Sequence, residues 1–248
     1  MFLNLLQSSV EGANYLLENL TTSQAFFMII VVGVAGMIVQ WRLRSVVSKY
    51  SKVPAPMGMT GAEMAELMLR QNGVYDVTVT HTGGYLTDHY DPRSKTVNLS
   101  DDVYHGRSIS AAAIACHECG HALQHAYGYA PLRMRSALVP VVQISSTLAT
   151  WLVIGGLFLT AYSGSEMLCW IGVGLMCFSA LFSIVTLPVE YNASNRALAW
   201  LEASGMLVGK ELNGAKISLR WAARTYLVAA LSAIASILYY VALINRRR

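Results

Sequence analysis

Charge is scarce in this chain. Of its 248 residues only 13% are Asp, Glu, Lys or Arg, against roughly 25% in an ordinary soluble domain, which excludes a protein that keeps most of its surface in water. Four stretches, 25–41, 137–162, 167–187 and 226–244, hold no charged residue at all, and each is close to the roughly 20 apolar residues that cross a bilayer as a helix. The segment before the first stretch has no Lys or Arg. A cleaved signal peptide starts with a basic region, so none is expected; the leucines there, with Phe2, fit either a helix lying on the membrane surface or a frayed terminus. Cysteine is scarce too. Four in the whole chain, two of them (Cys169 and Cys177) inside an apolar stretch, exclude the disulfide scaffold of a small secreted protein.

The few charges orient the chain, because Lys and Arg concentrate in cytoplasmic loops. Arg42, Arg44, Lys49 and Lys52 follow the first stretch, Arg133 and Arg135 precede the second, and Arg196, Lys210, Lys216, Arg220 and Arg224 separate the third from the fourth. The connection at 162–166 has none. This places the N-terminus outside and the polar segments 42–136 and 188–225 in the cytoplasm, facing a cell membrane crossed several times. Four crossings then put Arg246, Arg247 and Arg248 outside, against the charge rule, unless the last stretch does not cross. The net charge of +4 is accounted for by this topology, and nothing points to nucleic acid.

Within the first polar segment, Thr60 is placed to cap a helix that buries Met64, Leu67 and Met68 and ends at Gly73. Residues 74–99 read as a small hairpin or sheet, with VYDVTVT and KTVNL as strands around a GGY turn. Pro54 and Pro56 read as a linker. A Ser, 108 or 110, caps the next helix, which carries CHECGH at 116–121.

Two metal-ligand patterns overlap in those six residues. Successive residues turn about 100° on a helix, so with His117 at zero His121 falls at about 40°, Glu118 at about 100°, Cys119 at about 200° and Cys116 at about 260°. The histidines share a face, and the cysteines point away to pack the back of the helix. Two imidazoles one turn apart offer two corners of a zinc site, and the glutamate beside the first can serve as general base without ligating. His125 cannot complete the site, because eight residues along a helix is about 12 Å. The position ten past His117 is Tyr127, which removes a third histidine there. Glu190 remains, in LPVEYNASNRAL, where the third apolar stretch ends; a carboxylate at a membrane boundary needs a partner, and zinc is one.

The combination of GYLTDHYDPRSKTVNLSDDVY, SISAAAIACHECGHALQ and LPVEYNASNRAL resembles the YugP-type neutral zinc metallopeptidases of bacterial membranes, over residues 50–240. More distantly, a His-Glu-x-x-His helix followed by a ligand glutamate on a second helix is similar to the gluzincins, including the HtpX and Ste24 peptidases. The resemblance implies a mainly α, multi-pass helical membrane protein with a gluzincin-like metallopeptidase domain, one Zn2+ per chain on His117, His121 and Glu190, and Glu118 as catalytic base. It also implies protein or peptide substrates. Gluzincins place an Asp four residues after the ligand Glu to orient a histidine; here that position is Ser194, with Asn192 and Asn195 nearby. DHYDPR reads first as a polar turn at Asp91-Pro92; the alternative has His89 or Arg93 donating to an oxyanion.

The expected organisation is 1–41 with the first span, 42–136 cytoplasmic with the motif helix, 137–187 with spans two and three, 188–225 cytoplasmic with the third ligand, and 226–248 with the last span and a basic tail. Two rivals to a zinc endopeptidase stand beside it. A site-2-type intramembrane protease wants an Asp-Gly pair, which does not occur in this sequence. A non-catalytic scaffold with structural zinc wants a fourth protein ligand.

Overall fold

The computed structural model describes residue 7, residues 11, 12 and 15, and residues 19–246. Of the apolar residues expected to form a surface helix at the start of the chain, all but Leu20 lie outside the described residues. The rest is mainly helical, with four helices long and apolar enough to cross a membrane: α1 (Thr22–Tyr50), α5 (Ala130–Ser163), α6 (Met167–Ala203) and α7 (Gly209–Asn245). Between α1 and α5 come α2 (Gly61–Gln71), β1 (Thr78–Thr82), β2 (His89–Asp91), β3 (Thr96–Ser100), α3 (Asp101–Tyr104) and α4 (Ile109–Ala126). The chain is a multi-pass helical membrane protein.

It divides into two compact units. One comprises residues 1–37, 137–184 and 227–248; the other comprises 38–136 and 185–226. In the first unit small residues let helices meet closely, as van der Waals packing in lipid requires. A Cβ at Gly172 would lie 2.6 Å from Val153 Cγ2, and one at Gly156 would lie 2.7 Å from the Cys169 nitrogen, so α5 and α6 touch through glycine. Helices α1 and α7 pair antiparallel: Gly36 abuts Val228, while Thr22 Oγ1 donates to the Ala242 carbonyl at 3.3 Å. The start of α1 and the end of α7 therefore share one face. Outward side chains such as Phe27, Trp151, Phe158 and Tyr162 are exposed and apolar, as expected of a lipid-facing surface.

The second unit has an ordinary apolar core. Met64, Met68, Val97, Leu99, Ile109 and Leu201 are almost fully buried in it. Thr60 caps α2 in a reciprocal capping box with Glu63, which satisfies two orphan backbone donors. Ser108, rather than Ser110, caps α4 by accepting from the Ala111 N–H at 3.1 Å. The sheet differs from a simple hairpin of the two expected strands. Its order is β1-β3-β2, with β1 parallel to β3 and β2 antiparallel to it. The hairpin turn is 92–95, at the expected Asp91-Pro92 turn and not at the glycine pair: Asp91 Oδ1 accepts from the Arg93 N–H at 2.9 Å and so mimics a turn. Pro54 is no free linker: it bridges to Ser108, tying the segment after α1 to the start of α4.

Pro188 does not end a helix. Helix α6 continues through it to Ala203, which an apolar span can tolerate when neighbours satisfy the freed backbone groups.

Candidate metal centre and catalytic cleft

The Ala-rich helix α4 holds His117 and His121 one turn apart, their rings 4.8 Å between centroids and nearly perpendicular. Helix α6 crosses it at Gly120, where a Cβ would stand 2.5 Å from the Ala193 carbonyl oxygen. Only glycine permits that approach, and it sets Glu190, one turn before Ala193, against the histidines. Glu190 is 2% exposed. Its Oε2 lies 3.3 Å from His117 Nε2 and 3.5 Å from His121 Nε2. Its Oε1 faces Arg135 Nη1 at 3.5 Å.

Whether these residues suit a metal can be tested on three counts. Ligands about 2.05 Å from a tetrahedral zinc stand about 3.3 Å apart, which is the spacing of Glu190 Oε2 from the two nitrogens, and all three ligand atoms fall within 4.8 Å of one another. Buried Glu190 Oε2 has no hydrogen-bond partner, an expensive state for a carboxylate oxygen unless something positive meets it. Finally, both histidines have their Nδ1 edge occupied. His121 Nδ1 donates to Gln124 Oε1 at 3.0 Å, and His117 Nδ1 meets Ser194 Oγ at 3.1 Å. The Gln124 amide cannot be flipped, because its Nε2 donates to the Val189 carbonyl and to Asn192 Oδ1 at 2.8 and 3.0 Å. A neutral His121 must therefore present the Nε2 lone pair toward Glu190, as a metal ligand would. The residues fit a zinc ion.

Electrostatics agree. Burial disfavours the His121 cation, but the Glu190 carboxylate beside it and the charge of Glu118 outweigh that and hold the imidazole above its ordinary value. Surroundings that attract a proton also attract a divalent cation. Among the described residues no fourth His, Cys, Asp or Glu joins the group, so the donor set leaves a corner open, as catalytic rather than structural zinc sites do.

A cleft of about 240 Å³ opens beside the trio and is lined by His117, Glu118, Glu190, Asp88 and Tyr226, with Leu43, Val47 and Ile114 among its apolar walls.

A family model described as "Putative neutral zinc metallopeptidase" matches residues 25–245. The chain belongs to this family. A curated relative, "Putative membrane protease YugP" of Bacillus subtilis (strain 168), is 47% identical over 204 residues, covering 82% of this chain and 88% of that protein. No solved structure matches significantly.

Within this family member the other sequence candidates fall as follows. Cys116 and Cys119 are fully buried on the back of α4, and burial pushes both thiols up, so they pack rather than react. His125 points elsewhere, its Nδ1 2.8 Å from the Tyr90 hydroxyl. Ser194 itself, not Asn195, meets His117, and Asn192 serves Gln124 instead. His89 and Arg93 are exposed and do not line the cleft. Their neighbour Asp88 does. Gln124, Arg135, Asp88 and Tyr226 were not singled out in the sequence as site residues. For Gln124 a signal existed: seven residues past His117 it returns to about the same helical face, near −20°.

Proposed function

We propose that this chain is a membrane-bound zinc endopeptidase that hydrolyses peptide bonds in proteins or peptides, with His117, His121 and Glu190 as the zinc ligands and Glu118 as the catalytic base. The observation that carries this reading is the buried, unpartnered Glu190 oxygen facing two imidazole nitrogens at ligand spacing, with Glu118 in the same cleft. Zinc held there would polarise the scissile carbonyl and bring the pKa of a water toward ~7. Glu118 takes the proton of the attacking water on its carboxylate and returns it to the leaving amine. Ser194 and Gln124 fix the two imidazoles, and Arg135 fixes the far oxygen of Glu190. Tyr226, a phenol in the cleft that also meets Glu190, is the lining hydroxyl that would turn to the developing oxyanion. The open ligand corner supports catalysis over a structural zinc scaffold. The basic residues flanking the apolar helices support a cytoplasmic face for the segment 42–136.

The deciding experiment purifies wild type, Glu118→Gln and Glu190→Ala in detergent, quantifies bound zinc, and follows cleavage of unstructured casein. About one zinc per chain in the first two, less in the third, and cleavage only by wild type are expected. Full zinc in Glu190→Ala would remove Glu190 from the ligand set, and cleavage by Glu118→Gln at the wild-type rate would remove Glu118 as base.

A further inference from the structure

We infer that the cleft selects a positively charged group beside the scissile bond, with the Asp88 carboxylate as the residue that recognises it. This rests on the endopeptidase reading and adds the substrate class. Three carboxylates line the cleft, Asp88, Glu118 and Glu190, and no Lys or Arg does among the described lining residues. A divalent cation on the histidines would sit against Glu190 and Glu118, and Arg135 already meets the far oxygen of Glu190 at 3.5 Å, so among the described residues Asp88 is the lining carboxylate left with no cation beside it. A charge set between apolar walls focuses its field on a ligand of opposite sign.

Asp88 is the one of the three without a role in the chemistry. It precedes β2, and the loop that delivers it, 83–88, holds Leu86 in the left-handed region at φ 56°, a conformation that a leucine adopts only when its surroundings impose it. The carboxylate is fixed from one side. Oδ1 accepts from the Ser100 N–H at 2.7 Å, and the Ser100 hydroxyl reaches both oxygens at 3.0 Å. Two donors leave a carboxylate with acceptor capacity in hand. Burial, with the charge of Glu118 added, raises the Asp88 carboxyl although the Ser100 bonds pull the other way. A cation arriving from the cleft relieves that imbalance. Leu43, Val47 and Ile114 would meanwhile receive the alkyl stem of a lysine or arginine.

The test is a pair of N-acetylated, otherwise identical unstructured peptides carrying lysine or norleucine at one position, cleaved by wild type and by Asp88→Asn. Asparagine keeps an acceptor for Ser100 and removes the charge. The kcat/KM ratio of lysine to norleucine peptide is expected to be about tenfold or more in wild type, to shrink with added salt, and to fall near one in Asp88→Asn whatever the absolute rates. A second pair with free N-termini distinguishes an α-amine from a side chain as the bound cation. A wild-type ratio near one, with both peptides cut, overturns the inference and leaves the endopeptidase standing, even if Asp88→Asn does not fold. A tenfold ratio that persists in Asp88→Asn removes Asp88. Absence of any chelator-sensitive cleavage overturns the peptidase reading and the inference with it.

Discussion

Glu190 has two oxygens in two different environments, and much of the site follows from that. Arg135 meets one, and the other faces His117 and His121. Each imidazole is held from behind in turn. Gln124 is completely buried and spends its amide on three partners; Asn192 Oδ1 keeps Arg196 Nε at 2.8 Å, so Gln124→Leu above all strips the His121 N–H of its acceptor. Losing such an outer partner typically lowers metal affinity about 10–100-fold; we expect that loss for zinc, measured by competition against a fluorescent chelator. Unchanged affinity would mean that His121 needs no orienting partner. The histidine pair was readable from sequence because its geometry is local to one helix, and Gln124 lay within reach of the same periodicity. Asp88 was not. It approaches Glu118 only through the fold of the sheet, and spacing along the chain carries no trace of that. Arg135 was seen as a topological charge, and nothing in its position revealed the carboxylate it would meet.

Among elements, the meeting of α4 and α6 sets the site. Backbone touches backbone at Gly120, so any side chain there drives the helices apart and takes Glu190 away from the histidines. Gly120→Val should cost about 1–3 kcal/mol through overpacking, a fall of roughly 2–12 °C in Tm, and should lower bound zinc at the same time. Retention of full zinc with a lowered Tm would show that the two helices can separate without disturbing the ligands. Capping and turn chemistry made α2 and α4 legible, since Thr60 and Ser108 act through atoms three residues away. The sheet was legible only in part. Its strands alternate as strands should, but a parallel pairing of β1 with β3 joins segments that a hairpin reading sets antiparallel. The turn at Asp91 and Pro92 was legible in DHYDPR, because an Asp-Pro pair carries its own turn chemistry; the glycine pair joins β1 to β2, which do not pair with each other.

For the whole molecule, the antiparallel pairing of α1 with α7 speaks to topology. Thr22 lies beside Ala242, so the described ends of the first and last apolar helices share a face, and the basic tail follows from it. Asn19→Cys and Arg246→Cys should therefore react with a membrane-impermeant maleimide from the same side of the membrane. With the orientation that the Lys and Arg distribution supports, Met57→Cys should react only after permeabilisation. Labelling of residues 19 and 246 from opposite sides would rule out an even number of crossings. The number of apolar helices could be read directly from composition, whereas their partners could not, because helices in lipid choose neighbours by shape rather than by hydrophobic pattern.

That pairing also bears on how the protein comes into being. The cleft draws lining residues from α1, Leu43 and Val47, and from α7, Leu219 and Tyr226. At roughly 5–20 residues per second a ribosome delivers α1 early and α7 on the order of 10 s later. Helix α1 must wait in the bilayer without its mate, and its apolar face, with little of it covered even in the finished fold, suits it to do so. His117, His121 and Glu190 emerge in the interval. A nascent chain thus carries all three before the wall bearing Tyr226 exists, and the cleft acquires that wall only once α7 has been made.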